Sequence, residues 1–162
     1  PLTMKKMLFF ALSVIVSLSV FTSCGSDDDD DSPVVGKWVY AKSTIDVKTN
    51  DQDVTDAIKE YLEENLLPTY KNTVYEFYND GKLVYYYKDQ SPQQTTYRLD
   101  GDRLIIPSTA EYMGYFFINN EVIHKIDLTE GVTDDFLEEY LGIADPESIE
   151  VEKTVIEIYY KR

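Results

Sequence analysis

The chain carries one cysteine, Cys24, one histidine, His124, and fourteen tyrosines in 162 residues. Those counts narrow the chemistry at once. A single Cys excludes an intrachain disulfide and a Cys-based metal cluster, and a single His excludes a His-rich metal site. The sequence holds no nucleophile elbow, phosphate-binding loop, His-Glu metal motif or Cys-His pair. Among thirty acidic side chains, no particular pair of carboxylates stands out. Catalysis is therefore not the expectation, and no cofactor is implied. Recognition is what remains. His124 can act as a polar anchor inside an apolar cavity, with Tyr75, Phe77, Tyr85 and Tyr97 lining it. The alternative is a His bonded to a Tyr hydroxyl or a backbone carbonyl, with tyrosines that suit strands and end wet at a barrel rim.

The stretch 73–128 must position these side chains. It reads as short aromatic strands joined by tight turns, with Asp80-Gly81, Asp100-Gly101 and Asn119-Asn120 between apolar runs. These pairs predict two-residue hairpins, because both central residues of such a turn reach positive φ. Alternation places Thr73, Tyr75 and Phe77 on one face, Leu83, Tyr85 and Tyr87 on one face, and Tyr97 with Leu99 on another. Both faces of 82–88 and 112–118 carry aromatics, so the inward face there stays open. His124 shares a face with Val122, Ile126 and Leu128, the more apolar side of its strand. The pattern of 148–160 slips between Val151 and Ile156, which predicts a bulge near Lys153.

Two amphipathic helices complete the reading. The first covers 53–67, capped by Asp53 or Thr55 and stopped by Pro68. The second covers 133–142, with Thr133 at its start and Gly142 just past its end. Strands are expected at 35–47, 73–79, 82–88, 94–99, 103–107, 112–118, 121–128 and 148–160. The fold class is all-β with two short helices, an eight-stranded antiparallel up-and-down barrel.

The formal net charge of −15 argues against nucleic acid and against anionic membrane surfaces as partners. Residues 1–23 read as a secretory signal. Lys5 and Lys6 precede an apolar run, 7–21, that is too short to span a bilayer comfortably, and Met4 is the expected start. Residues 24–33 include five consecutive Asp, 27–31, beside Gly and Ser, and read as a disordered acidic tether. The folded domain is 34–162.

Phe21-Thr22-Ser23-Cys24 resembles the lipobox of bacterial lipoproteins. The resemblance implies cleavage before Cys24 and acylation of it, palmitate-type chains then joining the protein to a membrane. The acidic run just after Cys24 is similar to the signal that sends Bacteroidota lipoproteins to the outer face of the outer membrane. Gly36-Lys37-Trp38 resembles the Gly-x-Trp of lipocalins (calycins). With Tyr75-Glu76-Phe77, Asp80-Gly81-Lys82 and Tyr97-Arg98-Leu99-Asp100-Gly101-Asp102-Arg103-Leu104, it looks like the small lipocalin-like domains of Bacteroidota lipoproteins. The likeness implies that Gly36 and Trp38 close one barrel end beneath Lys161 or Arg162. The family's disulfide and Thr-Asp-Tyr motif are missing, and a helix stands where lipocalins have a lid loop. The expected function is binding of a small, mostly apolar ligand in or at the mouth of the barrel. The alternative is a packed, ligand-free barrel serving a cell-surface protein complex as an accessory subunit.

Overall fold

The computed structural model describes residues 32–87 and 90–162. The readings made for the signal 1–23, for Cys24 and for the Asp run 27–31 lie outside those residues, as does Lys88. Among the described residues, nine strands run in chain order as β1 (Gly36–Thr49), β2 (Val74–Phe77), β3 (Lys82–Tyr86), β4 (Gln93–Thr96), β5 (Arg98–Asp100), β6 (Arg103–Ile105), β7 (Met113–Ile118), β8 (Glu121–Asp127) and β9 (Val151–Lys161). Three helices accompany them: α1 (Gln52–Asn65), α2 (Leu67–Lys71) and α3 (Asp134–Leu141). The sheet order is β4-β3-β2-β1-β9-β8-β7-β6-β5, antiparallel at every pair. The two outermost strands, β4 and β5, are separated in sequence by Tyr97 alone, so the row curls into a nearly closed barrel.

The expectation of eight strands and two helices is therefore corrected to nine and three. The extra strand comes from Tyr97. Its N–H donates to the Gly81 carbonyl at 2.8 Å and its hydroxyl donates to the Tyr78 carbonyl at 2.9 Å. The β3 strand begins at Lys82, paired with Thr96. Past Thr96 the chain thus has no further β3 residue to pair with, and it resumes laddering only with β6. The extra helix comes from Pro68. Pro was expected to end the helical path, but it sits in the first turn of α2, where its missing N–H costs nothing.

Local chemistry explains the other boundaries. The cap of α1 is Asp51, not Asp53 or Thr55; its Oδ1 accepts the N–H groups of Asp53 and Val54 at 2.9 and 3.2 Å. Thr55 instead turns inward to hydrogen-bond Thr49, Oγ1 to Oγ1, at 2.9 Å. Thr133 caps α3 by accepting the Phe136 N–H at 3.3 Å, and Gly142 takes the left-handed conformation at φ 68°. Of the predicted turns, only Asn119-Asn120 has both central residues at positive φ, 52° and 59°, between the paired residues Ile118 and Glu121. The second turn is centred one residue later than predicted, on Gly101-Asp102, between the paired residues Asp100 and Arg103. The first is longer. Tyr78 donates to the Lys82 carbonyl across residues 79–81, with Gly81 at φ 80°. Glu152 is an extra residue on β9 opposite Lys48 and Thr49, beside Lys153, and a second bulge falls at Ala41 on β1.

Strand directions give the barrel two unlike ends. At the narrow end lie the three hairpin turns, the start of β1 and the end of β9. Trp38 is fully buried there; its Nε1 donates to the Val34 carbonyl at 2.7 Å and its ring meets Phe117 edge-on at 5.8 Å. The Arg162 guanidinium lies over the indole, 4.9 Å from its centroid, and bonds the Pro33 carbonyl. Gly36, at φ 133°, lets β1 begin beside that guanidinium. At the wide end are the long connections 50–73, 87–92, 106–112 and 128–150. The buried stripe Val54, Ile58, Leu62 and Leu66 turns α1 toward the sheet, and Tyr61 meets Phe136 of α3 edge-on at 5.0 Å.

Candidate ligand-binding site

Alternation along each strand decides what the barrel holds. On β2 and β3, Tyr75, Phe77, Leu83 and Tyr85 are buried, while Tyr86 lies on the outer, half-exposed phase. On β7 it is Tyr115 that is buried, with Met113 and Phe117 packed on the core in the same phase. The core thus settles the aromatic strands whose inward face the pattern left open.

These rings fill the narrow end and leave the wide end hollow. Phe77 and Tyr97 meet edge-on at 4.8 Å between centroids and pack the barrel's lower half with Trp38. Above them a cavity of about 1210 Å³ opens toward the long connections. Its inner wall is Tyr75, Leu83, Tyr85, Tyr115 and Ile126, and its upper wall is Leu66, Tyr70 and Tyr87. The rim is residues 106–113 together with the segment from Lys125 to Gly131, Glu152 and Lys153. Part of the volume is a surface groove, because Lys125, Asp127 and Lys153 on that rim are exposed.

The predicted site residues therefore separate. Tyr75 and Tyr85 line the cavity, whereas Phe77 and Tyr97 pack below it. His124 sits one layer behind the wall. Its ring stacks on Tyr115 at 4.1 Å and 11°, and Tyr70 meets it edge-on at 5.2 Å. Neither imidazole nitrogen has a hydrogen-bond partner, and burial pushes the ring's pKa down from 6.5 to about 3. Gly36 and Trp38 are at the opposite end. Sequence reasoning did not single out Tyr70, Tyr87 or Tyr115. Tyr70 follows Pro68, where the helix was expected to have stopped, and Tyr115 belongs to a strand with aromatics on both faces.

The buried polar side-chain atoms of the cavity wall are neutral hydroxyls. Burial raises the pKa of Tyr75 and Tyr115 well above the ordinary value, and that of Tyr87 to about 12. Tyr75 is the hub, with ring contacts to Tyr160 at 4.9 Å, Tyr115 at 5.9 Å and Tyr85 at 6.3 Å. The hydroxyls of Tyr115, Tyr160 and Tyr87 are near enough to influence that of Tyr75. Even so, the Tyr75 and Tyr160 hydroxyls and Thr154 Oγ1 are buried without a hydrogen bond of acceptable geometry. An unsatisfied buried hydroxyl costs about 1–3 kcal/mol, so a bound group that satisfies one gains accordingly.

Among the described residues, no cluster of three or more His, Cys, Asp and Glu side chains could hold a metal ion. No helix among them is long and apolar enough to cross a membrane. The chain matches no protein-family model and no curated protein.

Proposed function

We propose that this chain is a lipocalin-like lipoprotein that binds a small, mostly apolar ligand at the wide mouth of its barrel. The observation that carries the reading is the hollow above Phe77 and Tyr97. It is walled by Tyr75, Leu83, Tyr85, Tyr115 and Ile126, and the hydroxyl of Tyr75 is buried among them with no hydrogen-bond partner. Apolar walls with a few convergent polar atoms are the usual composition of a small-molecule site, and most such sites hold roughly 300–1,000 Å³. The fold supports the reading further if β4 and β5 are counted as one strand bent at Tyr97. The barrel then has eight strands in up-and-down order, with β9 closing on β1.

The leader supports the remaining parts of the proposal. Cleavage before Cys24, acylation there and the acidic run that follows put the domain on the outer face of the outer membrane of a Bacteroidota cell. The lipid is its membrane partner, and its role is binding, not catalysis. The packed narrow end, Trp38, Phe77, Phe117 and Tyr97, favours the accessory-subunit alternative only for that half of the barrel.

Native mass spectrometry of the purified full chain, with organic extraction of whatever it carries, tests the binding reading. A bound apolar compound lost on Tyr75→Ala or Tyr85→Ala is the expected result. A clean apo mass, with no thermal shift across a panel of sterols, fatty alcohols, fatty acids and porphyrins, would overturn it. Labelling cells with an alkynyl palmitate analogue tests the anchor separately. Incorporation in the native chain that disappears in Cys24→Ser is expected, and an unlabelled native chain would remove the lipoprotein assignment.

A further inference from the structure

The charge distribution around the cavity limits what can enter it. Among the described residues, the lining carries two cations, Lys125 and Lys153, both exposed on the rim. Lys153 already pairs with Asp46. Four acids, Glu111, Asp127, Glu130 and Glu152, share the rim with them. The inner wall holds apolar side chains, phenols and the Thr95 hydroxyl, and the nearest imidazole, His124, is fully buried and uncharged.

An anionic amphiphile is disfavoured in either orientation. Head-in, its carboxylate loses its water with no buried cation to replace it. Head-out, it meets a rim whose described residues include more acids than bases. A hydroxyl or carbonyl head has no such problem. Tyr75 belongs to the cavity wall and its hydroxyl is buried and unpartnered just out of reach of solvent, so a head group meets it once the neighbouring rings shift, and a phenol both donates and accepts. A hydroxyl head can take its proton or give one, and a carbonyl can accept it. The hydroxyls of Tyr115 and Tyr87 lie close enough to join the same network.

We propose that the cavity takes an uncharged amphiphile, an alcohol, ketone or ester, seated head-first against the Tyr75 hydroxyl, and that it rejects the corresponding carboxylate. This deepens the binding reading above and rests on it.

The test compares ligands of one chain length on the purified full chain: dodecane, 1-dodecanol, dodecanoate and dodecyltrimethylammonium. Affinities come from displacement of an uncharged environment-sensitive fluorophore at mildly alkaline pH, where the acid is ionised. The alcohol is expected to bind at least about tenfold more tightly than dodecanoate, whose head finds no buried cation inside and an acid-rich rim outside, whereas dodecyltrimethylammonium can leave its head at that rim. Tyr75→Phe, which keeps the ring and removes only the hydroxyl, should weaken the alcohol by about fivefold to tenfold and leave dodecane unchanged. Dodecanoate should gain affinity as acidification neutralises its head.

Equal or tighter binding of dodecanoate, or an alcohol affinity unmoved by Tyr75→Phe, would overturn the head-group assignment and leave the binding barrel standing. If the fluorophore binds and none of the four displaces it, this inference falls alone; if neither the fluorophore nor any of the four binds, the binding reading falls with it.

Discussion

The imidazole of His124 lies flat against the phenol of Tyr115, centroids 4.1 Å apart and planes 11° from parallel, in a directly paired position of β8 and β7. Tyr70 closes the other approach edge-on. Burial is the one influence on the ring's pKa, which falls from 6.5 to about 3. Between those values the unfolded chain takes up a proton that the folded chain refuses. Stability should therefore fall as pH falls through that window, by up to about 1.4 kcal/mol per pH unit from this residue. In His124→Phe the titrating group is gone, so its unfolding free energy in urea should decline less steeply between about pH 6.5 and the onset of carboxylate protonation. Parallel curves would mean that His124 is not held neutral.

The other end of the barrel rests on the indole of Trp38. Trp38→Phe removes the hydrogen bond to the Val34 carbonyl and leaves a gap under Arg162, which should cost about 2–4 kcal/mol. Arg162→Ala loses the guanidinium above the ring but leaves the buried indole in place, and about 0.5–1 kcal/mol is expected. Urea denaturation of the two variants compares them directly. A larger loss for Arg162→Ala than for Trp38→Phe would contradict this ordering.

Gly36 and Gly131 separate backbone strain from crowding. A Cβ on Gly36 would meet the Arg162 side chain at an ordinary 3.7 Å, yet its φ of 133° is a conformation that L residues rarely adopt. Gly36→Ala should therefore cost about 1–3 kcal/mol through strain alone. Gly131 has no positive φ and open space around it, so Gly131→Ala should change thermal stability little.

Asp51 and Asp53 make a similar contrast at the start of α1. Asp51→Ala removes the acceptor for two helix N–H groups and should cost about 1 kcal/mol. Asp53 contributes only its charge near the positive end of the helix, so Asp53→Ala should cost about 0.3–0.5 kcal/mol. Thermal melts that rank the two in reverse would return the cap to Asp53.

Features legible in the sequence are those whose causes lie within a few residues. Asn119-Asn120 makes its turn because two consecutive residues must tolerate positive φ. Thr133 and Gly142 bound α3 because caps bond to N–H and C=O groups of the adjoining turn. The slip in apolar phase between Val151 and Ile156 marked the bulge at Glu152. His124 falls on the buried side with Val122 and Ile126 because a strand alternates whatever it packs against. Where local signals offered more than one solution, the nearest neighbours could not choose: Asp51 caps α1 where Asp53 or Thr55 was expected, and the Asp-Gly turns are not centred on their Asp-Gly pairs.

Tertiary structure decided everything that depends on residues far apart in the chain. Pairing of β1 with β9 joins residues more than a hundred positions apart and turns a meander into a nearly closed barrel. That closure selects the inward face of β3 and β7, turning Tyr85 and Tyr115 onto Tyr75. It breaks the strand at Tyr97, whose N–H and hydroxyl are taken by the Gly81 and Tyr78 carbonyls. It also brings Tyr70, from a helix after Pro68, against His124 more than fifty residues away. Side-chain periodicity states which residues share a face. What lies across the barrel from that face, and how much space is left between, is set by packing volume, and the sequence pattern carries no term for it.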